Sequence, residues 1–313
     1  MAFPPLEPHT TGRLSTSDGA ELYWEESGNP GAPALVWLHG GPGSGLGAGG
    51  YRRRADPERW RIIGLDQRGC GRSTPRIDGP GADLDALTTP RMIADLEELR
   101  AHLGVERWLV AGGSWGSTYA LAYAQQHPDR VSALVLAAVT TTSRAEVDWI
   151  TESVGRIFPR EWEEFAAASG ARAGERVVEA YDRRLRDPDP GVRDAAARAW
   201  CRWEDVHVSL TPGWQPDPRY DEPAFRALFA TQVVNSWAHD AFLGPRGILD
   251  RLETIAHIPA VLIHGRLDVS GPLATAWELH RGLPLSRLVV VEDEGHGGAS
   301  MSDELERAYA SFA

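Results

Sequence analysis

Short, continuous apolar runs recur along the chain, and they predict strands that are buried on both faces, as in a parallel sheet. A loop or a helical segment follows each of the early runs, and this alternation favours a doubly wound, mostly parallel α/β sheet. The runs cover residues 34–38, 61–65, a stretch that begins at Trp108, 131–139, 259–263 and 287–291.

Other patterns complete this α/β arrangement. Residues 89–103 place apolar side chains on one side at helical spacing, and residues 274–281 and 301–312 also predict helices. Residues 13–26 predict two strands around Asp18-Gly19, a pair that is typical of a β-hairpin turn.

The pattern changes after residue 139, where the chain loses its β-like runs and becomes rich in Ala, Arg, Glu, Asp and Trp. Apolar side chains recur at helical spacing near Trp200 and Trp203, and Glu204 lies beside this stripe. The expected organisation is a first core segment at residues 1–139, an inserted helical cap at 140–243, and a second core segment at 244–313.

Charge and composition narrow the class of partner. The net charge of −12 over 313 residues argues against nucleic acid and anionic membranes, which both require a basic face. No apolar stretch approaches the roughly 18 to 20 residues that a membrane span needs. Cys70 and Cys201 are far apart, and together with the lack of a secretory pattern they predict reduced thiols in a cytoplasmic protein.

The sequence around Ser114 fits the nucleophile-elbow pattern G-x-S-x-G. A serine on a sharp strand-to-helix turn has a strained backbone and close neighbours, so Gly112 and Gly116 are expected where a β-carbon would not fit. The turn would also place the backbone N–H of Trp115 near a developing oxyanion. An ordinary strand-to-helix turn is the alternative interpretation.

A serine nucleophile needs a base and a third group that orients the base. Asp268 and His296 each follow a predicted strand, as Ser114 does, and the order Ser, Asp, His is the one this type of fold uses. Alone, Asp268 could cap a helix that begins near Gly271, and His296 could be an ordinary loop residue. The three together favour a catalytic triad.

The glycine-rich segment HGGPG follows the predicted strand at residues 34–38 and would supply the second oxyanion donor. The N–H of Gly41 is the preferred donor, with Gly40 as the alternative, because Pro42 has no N–H. His39 is expected to be a structural loop residue.

A dinucleotide-binding pattern, G-x-G-x-x-G, is formally present at residues 45–50, with Asp66 downstream. The segment that follows is charged and contains Pro57, so it matches the required helix poorly, and a flexible rim loop is the simpler interpretation. The histidines are scattered without metal-ligand spacing. We therefore expect neither a cofactor nor a metal.

Several motifs together resemble the proline iminopeptidases, which are α/β-hydrolases with a helical cap. The motifs are HGGPG, DQRGCGRS, GGSWGSTYA followed by Leu-Ala-Tyr, Trp203-Glu204, GRLD and GHGG. The resemblance implies an α/β-hydrolase fold and removal of an N-terminal residue, typically proline, from peptides or prolyl amides. It also implies a triad of Ser114, Asp268 and His296 and an oxyanion hole at Gly41 and Trp115.

Members of this family hold the free amino group of the substrate with glutamates from the cap, and Glu204 matches the first of these. A carboxylate in a partly buried pocket lined by Trp203 would bind a protonated amine and reject blocked N-termini. A solvated surface glutamate is the alternative.

The second cap glutamate of the family has no counterpart here. The corresponding segment is residues 231–237, in which Val233 falls near the expected position and Gln232 is adjacent. Gln232 is therefore expected to line the substrate site. Asp205 or Asp240 could supply the missing carboxylate.

Two rival functions are compatible with the same sequence. One is a diverged amidase or esterase of the same fold that acts on another small acyl or aminoacyl substrate. The other is a ligand-binding protein without catalysis, which an intact triad disfavours. Cys70 is expected near the site, which raises the hypothesis that thiol reagents inhibit. The oligomeric state is not predicted.

Overall fold

The computed structural model describes residues 3–77, 83–208, 210, 213–244 and 246–313. In this part of the chain, eight strands form one sheet in the order β1-β2-β4-β3-β5-β6-β7-β8. The strands are β1 (Thr10–Ser15), β2 (Glu21–Gly28), β3 (Ala34–Leu38), β4 (Arg61–Leu65), β5 (Trp108–Gly113), β6 (Val131–Ala137), β7 (Ala260–Gly265) and β8 (Ser286–Val291).

The sheet is mostly parallel, as predicted. The first hairpin, β1 with β2, is antiparallel, and β2 also pairs antiparallel with β4. The remaining neighbours, from β4 through β3 to β8, all pair parallel. The carboxyl ends of β3, β5, β7 and β8 therefore lie at one edge of the sheet, where loops that carry functional groups gather.

The helices follow the predicted alternation. The α-helices are α1 (Thr89–His102), α2 (Trp115–Gln126), α3 (Arg144–Asp148), α4 (Pro159–Ser169), α5 (Val177–Leu185), α6 (Pro190–His207), α7 (Pro223–Ala238), α8 (Leu273–Gly282) and α9 (Ala299–Phe312). Short 3-10 segments lie at Gly50–Arg54, Leu84–Ala86, Pro128–Arg130, Val154–Arg156, Pro218–Asp221, Asp240–Phe242 and Gly247–Ile255, and a π-helical turn lies at Trp149–Ser153.

Two apolar layers cover the faces of the sheet. Side chains of α1, α2 and α8 form one layer with Val36, Val110 and Leu262, whereas α9 forms the other layer with Leu35 and Leu109. Successive strand residues point to opposite faces, so a continuous apolar run serves both layers at once. This explains why the central strands lack polar alternation.

Between β6 and β7 the described residues form helices and loops. These helices have their own apolar core, in which the ring of Phe165 stacks on Tyr181 at 4.7 Å and on Trp203 at 4.9 Å between centroids. Trp200 meets Phe165 edge-on at 5.6 Å. Large rings bury much apolar area each, so this aromatic cluster stabilises the packing of these helices on one another. The exact boundaries at 139/140 and 243/244 stay a prediction.

Candidate active site

Ser114 occupies the turn between β5 and α2 with φ 55° and ψ −126°, which is a strained backbone for a residue with a side chain. The turn is very tight. A β-carbon at Gly112 would lie 2.2 Å from the carbonyl oxygen of Gly116, and one at Gly116 would lie 2.1 Å from that of Leu38. These contacts provide the steric reason for glycine on both sides of the serine.

The structure brings Ser114, His296 and Asp268 together from three separate loops. The Oγ of Ser114 is 2.9 Å from Nε2 of His296, and Nδ1 of His296 is 2.8 Å from Oδ2 of Asp268. The other oxygen of Asp268 accepts a hydrogen bond from the N–H of Gly271 at 2.9 Å. Asp268 therefore also caps the turn before α8, so the two interpretations of this residue are compatible.

Electrostatics favour an ionised Asp268 next to a basic imidazole. Burial of Asp268 opposes its ionisation, but the neighbouring His296 and the hydrogen bond from Gly271 hold its pKa below the ordinary value. Burial would lower the pKa of His296, but the charge and hydrogen bond of Asp268, with a smaller effect of Glu204, raise it. This arrangement stabilises the imidazolium that forms when His296 accepts a proton.

His264, at the end of β7, supports the Asp268 loop and was not singled out from the sequence. Its buried Nδ1 accepts the N–H of Val139 at 3.0 Å, so the proton is on Nε2, which donates to the carbonyl of Gly271 at 2.6 Å. Burial lowers the pKa of His264, which keeps the ring neutral. Only the tertiary contacts of β7 with the segment after β6 and with the loop before α8 reveal this role.

The loop after β3 supplies the other wall of the site. Gly40 and Gly41 line the cavity together with Ser114 and Trp115. A β-carbon on Gly40 would lie 3.3 Å from the β-carbon of Ser114, so the loop is closely packed on the elbow. Trp115 is the first residue of α2, and its N–H has no partner within the helix. Both expected oxyanion donors are therefore beside the serine.

A cavity of about 270 Å³ separates the triad from the cap. Its apolar wall includes Val147, Ile150, Tyr220, Phe229 and Trp237. Its acidic lining residues are Glu146, Glu204, Asp205 and Asp217. A cavity with apolar walls and a few polar groups is typical of a small-molecule site.

The acidic residues differ in how far they are already occupied. Glu146 caps α3 and accepts from the backbone of Thr141 and Ser143, and Asp217 is paired with Arg219. Neither carboxylate is therefore well placed for a substrate amine.

Glu204 and Asp205 retain more capacity to accept hydrogen bonds. Glu204 accepts from the indole of Trp200 at 2.9 Å and lies 3.2 Å from Nε2 of His207. Among the described residues, Asp205 accepts a hydrogen bond from the N–H of Asp217, and burial raises its pKa to about 6.

Trp203 and Asp240 lie away from this cavity. Trp203 is buried in the aromatic core of the cap, where its indole donates to the carbonyl of Ile150 at 3.2 Å. One residue turns a helix by about 100°, so Glu204 and Trp203 face different sides of α6. Asp240 forms an ion pair with Arg144 instead of lining the cavity.

Gln232 and Val233 also differ from the expectation. Gln232 is buried against the loop after β4, and its amide donates to the carbonyl of Arg68 at 3.2 Å. Val233 is part of the apolar core of the cap. Trp203 and Gln232 are thus absent from the cavity lining, and Asp205 is the alternative carboxylate that reaches it.

The dinucleotide pattern has a structural explanation. One oxygen of Asp66 accepts the N–H of Leu46 at 2.7 Å, and the other accepts the N–H and the guanidinium of Arg72. Asp66 therefore organises the glycine-rich loop and is 1% exposed, so it does not offer a carboxylate to a ribose. In the described residues, no cluster of three or more His, Cys, Asp or Glu side chains could hold a metal ion.

Comparison with known proteins places this chain within a family. Residues 33–299 match the family model of the α/β hydrolase fold. A hydrolase from Pseudomonas aeruginosa of known structure is 21% identical, with 97% of this chain and 98% of that chain covered and a TM-score of 0.64. The fold class is that of the α/β hydrolases, as predicted.

Curated relatives narrow the class. A protein of Streptomyces coelicolor named "Probable proline iminopeptidase" is 46% identical, over 96% of this chain and 94% of its own length. The proline iminopeptidase of Arabidopsis thaliana is 41% identical, over 94% of this chain and 77% of its own length. The chain belongs to the proline iminopeptidase family, which confirms the resemblance that its motifs indicated.

Proposed function

We propose that this protein is a prolyl aminopeptidase that releases an N-terminal residue, most readily proline, from small peptides or prolyl amides. The observation that carries the proposal is the hydrogen-bonded series Ser114–His296–Asp268, which opens into a cavity that also contains the half-buried carboxylates Glu204 and Asp205. Family membership and the names of the relatives support the same activity.

In the acylation step, His296 accepts the proton of Ser114 through Nε2 while Oγ attacks the carbonyl carbon of the N-terminal residue. Asp268 holds the imidazole through Nδ1 and stabilises its positive charge. The N–H groups of Gly41 and Trp115 bind the oxyanion of the tetrahedral intermediate. His296 then gives the proton to the departing amine, which leaves an acyl-enzyme.

Deacylation repeats the same proton transfers with water as the nucleophile. His296 accepts a proton from water, the hydroxide attacks the acyl carbon, and the proton returns to Oγ of Ser114. The free residue leaves, and the enzyme returns to its starting state. All these transfers go through Nε2 of His296, which lies 2.9 Å from Oγ of Ser114 in the structure.

Glu204 is proposed to hold the protonated amine of the substrate. Its side chain is 13% exposed, so its interaction with a cation is less screened than at the surface. A blocked N-terminus cannot supply the charge, and it would leave this carboxylate desolvated without a cationic partner. This is the physical basis for a free N-terminus as a substrate requirement.

We further infer a cytoplasmic location and a small peptide or aminoacyl amide as the substrate. Both cysteines are unpaired, which suits a reducing compartment. In the part of the chain that the structure describes, no helix combines the length and apolarity required to cross a membrane.

The test compares prolyl p-nitroanilide with its N-acetylated form and with p-nitrophenyl acetate. We expect the free prolyl amide to be cleaved most efficiently and Ser114→Ala to lose this activity, whereas Ser311→Ala on the exposed part of α9 retains it. A Ser114→Ala variant as active as wild type would refute the mechanism.

A second candidate function is an amidase or esterase that does not require a free amine. One observation favours it. The second cap glutamate of the family is replaced here by Gln232 and Val233, so α7 brings no carboxylate to the cavity. Equal cleavage of free and N-acetylated prolyl amides by wild type would support this alternative. Lack of serine labelling by a fluorophosphonate probe would instead favour a ligand-binding protein.

A further inference from the structure

Gln67, in the loop after β4, lies beneath the two segments that line the serine. One segment is the glycine loop after β3, and the other is the elbow that begins α2. The side chain of Gln67 is 1% exposed and is too deeply placed to touch a substrate in the cavity. Its hydrogen bonds nevertheless reach both segments.

Both ends of the Gln67 amide are used. Its Nε2 donates to the carbonyl oxygen of His39 at 2.8 Å, and its Oε1 accepts the indole N–H of Trp115 at 3.0 Å. The two contacts span the boundary between the glycine loop and the elbow. A single rigid amide thus fixes the separation of these two segments.

The contact with His39 also fixes a peptide plane. The carbonyl of residue 39 and the N–H of Gly40 belong to the same planar peptide unit and point in opposite directions. Once Gln67 holds the oxygen, the direction of the Gly40 N–H is set. Gly40 is one of the two candidate oxyanion donors in this loop.

The next peptide plane is fixed through the His39 ring. The backbone N–H of Gln67 donates to Nε2 of His39 at 3.1 Å, so the ring proton is on Nδ1, which donates to the carbonyl of Gly40 at 2.9 Å. That carbonyl shares its peptide plane with the N–H of Gly41. Burial lowers the pKa of His39, which keeps this tautomer neutral.

We propose that Gln67, acting with His39, is a positioning residue that sets the geometry of the oxyanion hole on both sides of Ser114. Gln67 determines the direction of the Gly40 and Gly41 N–H groups. It also anchors the indole ring of Trp115, whose backbone N–H is the donor on the other side of the serine. The proposal rests on the acyl-transfer mechanism above, and it assigns to the DQRG segment a function in catalysis without substrate contact.

The first test is Gln67→Leu, which keeps most of the volume and removes both side-chain hydrogen bonds. Misplaced oxyanion donors reduce the stabilisation of the transition state more than the binding of the substrate. We expect kcat on prolyl p-nitroanilide to fall about 100-fold and KM to change less than about threefold. The inhibition constant of pyrrolidine-2-boronic acid, a tetrahedral analogue, should rise with the fall in kcat/KM, whereas inhibition by free proline should not change.

Gln125→Leu is a matched control. Gln125 is a buried glutamine on α2 whose amide donates to the backbone carbonyls of Ile248 and Arg251, away from the cavity. Its substitution should reduce thermal stability without changing kcat or boronate inhibition. Comparison of the two variants separates a loss of stability from a loss of catalytic geometry.

Trp115→Phe gives a second measurement in case Gln67→Leu does not fold. It removes the indole N–H that contacts Gln67, together with part of the ring, and keeps the backbone N–H of residue 115. We expect a fall in kcat of roughly three- to tenfold, again with a matching loss of boronate affinity.

Two results would overturn the proposal. One is kcat within about threefold of wild type in Gln67→Leu, or in Trp115→Phe if the first variant is unfolded. The other is an equal loss of proline and boronate binding, which indicates general damage to the site. A wild type without activity on prolyl p-nitroanilide would instead contradict the proposed function. That result can be distinguished from a failure of the Gln67 proposal, which requires an active wild type.

Discussion

Replacement of Glu204 by glutamine removes one negative charge from the cavity and preserves the shape of the side chain. The glutamine oxygen can still accept the indole N–H of Trp200, which lies 2.9 Å from the carboxylate in the wild type. The variant should therefore fold normally. The principal change is the loss of an anionic partner for the amine of the substrate.

The size of the effect follows from the strength of a charge-assisted hydrogen bond. Such a bond contributes about 1.5–3 kcal/mol net when it is shielded from solvent. At about 1.4 kcal/mol per factor of ten, kcat/KM for prolyl p-nitroanilide should fall roughly 10- to 150-fold. The N-acetylated substrate has no charge to lose and no longer leaves a carboxylate unpaired, so its kcat/KM should not fall.

The same substitution has a second consequence at His296. The negative charge of Glu204 contributes to the raised pKa of His296, although Asp268 contributes more. Glu204→Gln should therefore lower the pKa of His296. Because the neutral imidazole is the active base, the acidic limb of the kcat/KM profile should move to lower pH.

The pH profile is best measured with p-nitrophenyl acetate, whose binding does not depend on an amine. Glu163→Gln, on the exposed surface of α4 in the same cap, provides a control with the same chemical change. An equal fall in kcat/KM for free and N-acetylated prolyl amides would refute the amine-binding role. An unshifted acidic limb would refute the electrostatic link between Glu204 and His296.

Two further predictions concern titratable groups whose pKa is raised by burial. Asp205 has a pKa raised by burial to about 6, so the folded state binds more protons than the unfolded state between about pH 4 and 6, and stability falls as pH rises through this window. Asp205→Asn should therefore be about 1 kcal/mol more stable than wild type at pH 7 in urea denaturation, after allowance for solvent screening, and equal to it near pH 4; a less stable variant at pH 7 would contradict this. Cys70 is fully buried and burial raises its pKa, so native protein should retain activity in a maleimide reagent and label at this residue only after denaturation. Rapid labelling of Cys70 with loss of activity would restore the hypothesis of thiol inhibition.

The strands were predictable because burial on both faces leaves a strong apolar signal. The first two predicted parallel strands have the same bounds in the structure, Ala34–Leu38 and Arg61–Leu65. The strand predicted at 131–139 ends at Ala137, because Ala138 takes a positive φ of 45° that breaks the extended backbone. Residues 138 and 139 are also apolar, so the apolar pattern alone could not show that the strand ends at Ala137.

The arrangement of the triad was also predictable, since each member follows a strand and parallel strands end at the same edge. The cap was harder to interpret. Trp203 and Glu204 are neighbours in sequence, but a helix directs one into the aromatic core and the other toward the cavity. Gln67 and His39 are in contact although they are 28 residues apart in the sequence, and no local sequence pattern predicts such a contact.

The structure changes the meaning of the missing cap glutamate. The sequence suggested that a substrate-binding position had been lost at Gln232 or Val233. In the structure, Gln232 holds α7 against the core by donating to the carbonyl of Arg68, and a glutamate could not donate there when ionised. The amide is therefore suited to the contact between cap and core, whereas carboxylates from α6 reach the cavity. Selectivity for a free N-terminus should accordingly depend on Glu204 and Asp205 on α6 and should not require an acidic residue on α7.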